Sequence, residues 1–215
     1  LDIAVDSHGN IFIAETNNHT IRKIDTEGNV STFAGAGETG FVNANGTEAY
    51  FASPTSMVID SEDNLIVADI SNFHIRKITP NGDVTSYVGK RAFGNVDAQG
   101  EDARFTSPYH LAIDNEDNVY VTELLNYFPP TVRKVDKTGN VTTIAGSAEG
   151  YLDGPALQAQ FGRNLDLAVD NNGIIYIADQ DNLRIRRIYS SWKLTGETEG
   201  YIGVHDITLK ATDQL

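Results

Sequence analysis

Four polar residues, Asp2, Ser56, His110 and Asp166, recur at steps of 54, 54 and 56 residues through a chain of 215. Asp and His side chains can ligate a divalent cation. Asp2, His110 and Asp166 are therefore metal candidates, and all four are candidates for contact with a ligand or partner. No HExxH or other tight ligand spacing accompanies them, and His110 is the one histidine of the set. The four differ in type, as residues with separate tasks would. A second set behaves otherwise. Glu15, Asp69, Glu123 and Asp179 are each followed by an arginine: Arg22, Arg76, Arg133 and Arg186. A carboxylate and a guanidinium that return together read as structural ion pairs, since planar arginine suits such pairing.

The spacing inside that second set changes once. Arginine follows the carboxylate by seven residues in three copies and by ten in the third, where Leu125, Asn126, Tyr127, Phe128, Pro129 and Pro130 fall between them. Prolines limit the entropy lost when a loop is held for binding, and aromatic side chains are favoured contact anchors. Tyr127 and Phe128 are thus candidate partner contacts. The alternative is that they fold back as packing over their own strands.

These residues are positioned by a repeat. Ile3 to Gly35 reads IAVDSHGNIFIAETNNHTIRKIDTEGNVSTFAG, and closely similar stretches begin at Met57, Leu111 and Leu167, anchored on Asp6, Asp60, Asp114 and Asp170. A regular step of that size implies one supersecondary unit per repeat. Within a unit, turn residues such as Asp6 to Asn10 separate β-branched runs, which is a hairpin signal. The second run, Ile11 to Ala14 and its copies, is nearly all apolar, as in a strand covered on both faces. The third, Ile21-Arg22-Lys23-Ile24, mixes apolar and charged residues and is expected nearer solvent. A glycine turn leads to a fourth, Thr- and Val-bearing strand. The reading is an all-β fold, a β-propeller of four-stranded antiparallel blades. Repeats start near residues 1, 55, 109 and 165 and run to 188, followed by a divergent tail over 189–215. Phe51, Phe105 and Phe161, each just ahead of the next unit, are expected to plug the gaps between blades. The turns at Asp60 to Asn64 and Asp114 to Asn118 lack the Gly and the distant Glu of an EF-hand.

The stretches Asn18-His19-Thr20-Ile21-Arg22-Lys23, Asn72-Phe73-His74-Ile75-Arg76-Lys77 and Asn182-Leu183-Arg184-Ile185-Arg186-Arg187 resemble the NHL repeat, and the Gly-rich linkers resemble those of its bacterial members. No copy has Leu directly after its His, and the third has Asn126-Tyr127-Phe128 instead. The resemblance implies a propeller, usually of six blades, so four repeats are expected to form either a closed four-bladed disc or an arc completed by self-association or further sequence. It also implies a choice of function. Most simply the blades are a noncatalytic scaffold that binds a protein, small-molecule or carbohydrate partner on the face made by the linkers and the second-to-third-strand loops. The alternative is an enzyme, because relatives of this type include a metal-dependent amidating lyase and metal-dependent lactonases.

Charge narrows the partners. Sixteen basic side chains against 30 acidic ones give a net charge of −14, a field that repels phosphate backbones, so no nucleic-acid partner is expected. There is no cysteine, hence no thiol chemistry. No run approaches the length of a membrane-spanning helix. No cofactor is expected beyond the divalent cation that Asp2, His110 and Asp166 leave room for. The expected location is extracellular, at the cell surface or periplasmic. The end of the tail, Gly203 to Asp213, resembles the closing strand of Ig-like or cadherin-like surface modules; otherwise the tail supplies outer strands of the fourth blade.

Overall fold

A computed structural model describes residues 2–124, 128–163, 165–191 and 201–207. Each repeat folds into one antiparallel meander. Blade 1 comprises β1 (Ile3–Val5), β2 (Ile11–Glu15), β3 (Thr20–Ile24) and β4 (Val30–Ala34). Blade 2 comprises β5 (Pro54–Ile59), β6 (Leu65–Asp69), β7 (His74–Ile78) and β8 (Val84–Gly89). Blade 3 comprises β9 (Pro108–Ile113), β10 (Val119–Glu123), β11 (Val132–Val135) and β12 (Val141–Ala145). The linker that follows carries the two-residue strands β13 (Ala148–Glu149), β14 (Gly154–Pro155) and β15 (Gln160–Phe161). Blade 4 comprises β16 (Leu165–Val169), β17 (Ile175–Asp179), β18 (Arg184–Ser191) and β19 (Tyr201–Ile207). β19 pairs antiparallel with β18, so this part of the tail takes the fourth-strand place of the last blade.

The anchoring aspartates close the β1–β2 hairpin and its copies. Asp60 Oδ1 accepts the amides of Glu62 and Asn64, and Asp6, Asp114 and Asp170 act likewise on the residues two and four further on. Such a carboxylate mimics a backbone turn. These hydrogen bonds pull the Asp60 and Asp114 carboxyls below their ordinary pKa, against burial, which is the largest influence and opposes them. The turns also join neighbouring blades: Ser7 Oγ donates to Asp63 Oδ2 at 2.6 Å, and Ser61 Oγ donates to Asp117 Oδ2 at 2.7 Å.

The innermost strands touch in chain order, β1 with β5, β5 with β9 and β9 with β16. Blade boundaries hold the cores. Phe51, Leu65, Val67, Phe12 and Ala14 share one cluster, Phe105, Ile66 and Val121 a second, and Phe161, Ile175, Ile177 and Tyr120 a third. The three phenylalanines are fully buried. Burial along the second strands shows which faces are covered. β6 and β10 are buried at every position, whereas β2 buries Phe12 and Ala14 and β17 buries the alternate set, Ile175, Ile177 and Asp179. Side chains alternate between sheet faces, so blades 1 and 4 are covered on opposite faces. Among the described residues, the second strands of blades 1 and 4 are thus half-buried on their outer faces, whereas those of blades 2 and 3 are buried on both.

The third strands depart from the sequence expectation. Arg76, Arg133 and Arg186 are fully buried rather than near solvent, because each guanidinium is enclosed by the linker that precedes its blade.

Candidate functional site

The linker cradle explains the carboxylate and arginine set. Arg76 Nη1 donates to Asp69 Oδ2 at 3.0 Å and to the Tyr50 carbonyl at 3.1 Å, and its Nη2 donates to the Val42 carbonyl and to Asn43 Oδ1. Arg186 repeats the arrangement with Asp179, the carbonyls of Gln160 and Leu152, and Asp153. Arg133 holds the carbonyls of Arg104 and Val96 and turns toward Asp97 at 2.8 Å, leaving Glu123 at 3.8 Å. Each guanidinium lies over its plug: Arg76 over Phe51 at 5.2 Å, Arg133 over Phe105 at 4.7 Å and Arg186 over Phe161 at 4.6 Å. The carboxylates reach the chain too, accepting the amides of Ala52, Thr106 and Gly162. Burial pushes the Glu123 carboxyl above its ordinary pKa, with Arg133 and the Thr106 amide pulling against it. The pair in blade 1 is different: Arg22 and Glu15 are 3.5 Å apart and about 30% exposed, at 31% and 28%.

The other set lies along the opposite rim from the aspartate turns, Asp2 just before β1 and Ser56, His110 and Asp166 within the first three residues of β5, β9 and β16. Asp2 Oδ2 accepts the Ser56 hydroxyl at 2.7 Å and the Met57 amide at 2.9 Å, and Ser56 Oγ accepts the Leu111 amide at 3.1 Å. Asp2 and Ser56 therefore tie blades 1, 2 and 3 together. His110 Nδ1 faces Asp166 Oδ1 at 3.3 Å, with side chains 35% and 64% exposed. Asp2 is thus engaged with blade 2 while His110 and Asp166 pair between blades 3 and 4. The three metal candidates do not form one ligand set, and among the described residues no three His, Cys, Asp or Glu converge to hold a metal ion.

His110 and Asp166 edge a cleft of about 260 Å³ completed by Tyr109, Leu124, Leu165 and Gln180. The Tyr109 ring meets the His110 ring edge to face, with centroids 4.6 Å apart. Tyr109 was not singled out in the sequence, although it occupies the place of Thr55 and its size breaks the repeat there. Of the insertion, Leu125, Asn126 and Tyr127 lie outside the described residues. Phe128 is 38% exposed and packs against Phe93, centroids 5.6 Å apart, and Phe93 meets Phe73 at 5.9 Å.

Comparison with known proteins agrees with this repeat architecture. The NHL repeat family model matches residues 1–24, and human NHL repeat-containing protein 2 is 32% identical over 178 residues, 75% of this chain. The chain belongs to the NHL-repeat family. It spans 24% of the length of that human relative. Among solved structures, an auxiliary nutrient binding protein from Bacteroides thetaiotaomicron superposes with a TM-score of 0.65 at 16% identity, over 95% of this chain and 47% of that one. A streptogramin B lyase superposes with a TM-score of 0.62 at 13% identity, over 97% of this chain and 54% of the other. Both likenesses concern the propeller fold. Among the described residues no helix of this NHL-repeat chain is long and apolar enough to cross a membrane.

Proposed function

We propose that this NHL-repeat chain is a noncatalytic binding module that takes a small polar ligand, with carbohydrate the leading class, in the cleft at His110 and Asp166. One observation carries the reading: the recurring carboxylate and arginine pairs of blades 2 and 4 are sealed from solvent, whereas the nonrecurring pair of His110 and Asp166 opens onto a cleft. The cleft offers an imidazole, a carboxylate and the Gln180 amide for hydrogen bonds, with the Tyr109 ring and two leucines as apolar wall. A few placed polar groups on an apolar wall are the usual makeup of a ligand pocket. The nutrient-binding protein among the structural neighbours fits such a role, and an extracellular, surface or periplasmic location would bring the module to its ligand. A metal-dependent lyase or lactonase is the weaker reading, because one imidazole and one carboxylate are fewer donors than a catalytic metal site commonly uses.

Titration calorimetry with a panel of neutral mono- and oligosaccharides tests the proposal. Saturable binding by at least one sugar is expected, weakened about tenfold or more by His110→Ala with the melting temperature nearly unchanged. Binding that His110→Ala and Asp166→Asn leave intact would remove the cleft from consideration.

A further inference from the structure

At the boundary between blades 2 and 3 the repeat loses a ring. The second residue of each second strand is Phe12, Ile66, Tyr120 and Tyr176 in turn, so of the four blades only blade 2 lacks an aromatic side chain there. Elsewhere that ring keeps fixed company. Phe12 meets Phe33 edge to face with centroids 4.9 Å apart, and Lys23, opposite Phe12 on β3, holds its ammonium 5.7 Å from the Phe12 centroid. Tyr120 has the ammonium of Lys134 at 5.9 Å and donates its hydroxyl to Asp114 Oδ2, the carboxylate of its own turn, at 2.9 Å. Tyr176 donates likewise to Asp170 Oδ2 at 3.3 Å. The recurring unit is a ring that meets a turn aspartate when it is a phenol and lies under a lysine in blades 1 and 3.

Blade 2 retains every part but the ring. Tyr87 stands where blade 1 has Phe33, Lys77 stands opposite Ile66, and Asp60 closes the turn. A cavity of about 290 Å³ lies among them, with Ile66, Tyr87, Ile113 and Val119 as walls, Asp60 and Lys77 as polar groups, and further charged side chains of the two turns around the rest. An apolar cavity of about 150 Å³ already admits benzene, so a single substituted ring fits. Tyr87 is a fixed wall, because its hydroxyl donates to the Asp136 carbonyl at 3.0 Å across the blade boundary. Lys77 instead reaches Asp60 Oδ2 at 3.0 Å, the counterpart of the oxygen that the tyrosine hydroxyl takes in blades 3 and 4.

We infer that this cavity is a binding site for a monocyclic phenol, which supplies the ring missing from blade 2. The ring lies against Ile66 with Tyr87 beside it, as Phe12 lies beside Phe33, and the hydroxyl donates to Asp60 Oδ2. Lys77 gives up that oxygen and moves over the ring, where Lys23 and Lys134 sit in their blades. The exchange is favourable: the ion pair of a partly exposed lysine is worth little, whereas a charge-assisted hydrogen bond and a cation over a ring replace it. A carboxylate only accepts hydrogen bonds, so the ligand must carry the donor. The site lies on the rim opposite the His110 and Asp166 cleft and does not depend on the reading given for that cleft.

The test is an amide NMR titration of the whole chain with p-cresol, which is the tyrosine side chain as a free molecule. Saturable shifts are expected at Asp60, Ile66 and Tyr87, with toluene, which lacks the hydroxyl, binding about tenfold or more weakly. Ile66→Tyr restores the ring within the chain. It should abolish p-cresol binding and raise the melting temperature, as cavity filling does, whereas Ile66→Val leaves the cavity open and binding intact. Absence of saturation within the solubility of p-cresol overturns the proposal. Equal affinity for p-cresol and toluene, shifts centred on the His110 cleft, or binding retained by Ile66→Tyr overturn it too. An Ile66→Tyr chain that is destabilised also does so, since the space would then not accept a phenol ring.

Discussion

Arg76 and Asp69 meet at 3.0 Å with both side chains wholly excluded from water. Burying two charges is costly unless geometry and further hydrogen bonds compensate. Here the compensation comes from linker carbonyls on the arginine and from the Ala52 amide and Asn72 on the aspartate. Arg76→Ala strands a buried carboxylate and releases the linker. A loss of about 3–5 kcal/mol of stability is expected, the range for breaking one partner out of a buried pair. Arg22→Ala should cost under about 1 kcal/mol, because the Glu15 pair is screened by solvent. Urea denaturation of the two variants checks the contrast, and similar losses would contradict the cradle argument.

His74 gives stability a pH dependence near neutrality. Its ring is buried and packs on Phe41 with centroids 4.5 Å apart, and its Nδ1–H donates a hydrogen bond of 2.8 Å to the Asn72 carbonyl. Burial, with some help from Arg76, pulls its pKa below 6.5. The unfolded chain takes up a proton near pH 6.5, while the folded chain does so only at lower pH. Stability is therefore fully present above about pH 6.5 and declines as pH falls toward the folded value, with a limiting slope of about 1.4 kcal/mol per pH unit for one proton. Melting curves between pH 7.5 and 5 should show the decline, and His74→Gln should flatten it.

Gly89 should resist substitution. Its φ is +113°, and a Cβ there would stand 2.8 Å from the Phe73 carbonyl oxygen and 3.2 Å from the Phe105 ring. Side chains with a Cβ seldom adopt that conformation, and the near oxygen belongs to backbone that cannot swing aside. Gly89→Ala is expected to lower stability by more than about 1 kcal/mol, whereas Gly28→Ala, with nothing within 4 Å, carries only the strain of its own φ. A thermal shift comparison of the two separates the steric part.

The repeat made the blades legible, because Asp6, Asp60, Asp114 and Asp170 each mark a turn whose own backbone they bind. It also brought Asp69 and Arg76 onto one face of adjacent strands, since Arg76 stands opposite Val67, two residues before Asp69, and Asp69 stands opposite His74. The burial of that arginine was not legible. Its main partners are the carbonyls of Val42 and Tyr50, which leave no side-chain trace 34 and 26 residues away. A faint signal existed in Val42-Asn43, Val96-Asp97 and Leu152-Asp153, an apolar residue and an acceptor at the same place in each linker. At the candidate site the alignment on the aspartates placed His110 and Asp166 in neighbouring blades. It could not show that Asp2 turns to Ser56, since the direction of a side chain at a rim follows from local amides such as that of Met57.

Because each buried arginine grips main-chain carbonyls eight residues apart, it works as a ruler that measures length and is indifferent to most of the residues measured. Between the two grips, substitutions should accumulate freely during evolution while insertions and deletions should be purged. Foreign sequence could be grafted into the chain without breaking these grips only outside those eight-residue spans, for example between Glu123 and Arg133, where the third repeat is already three residues longer than the others.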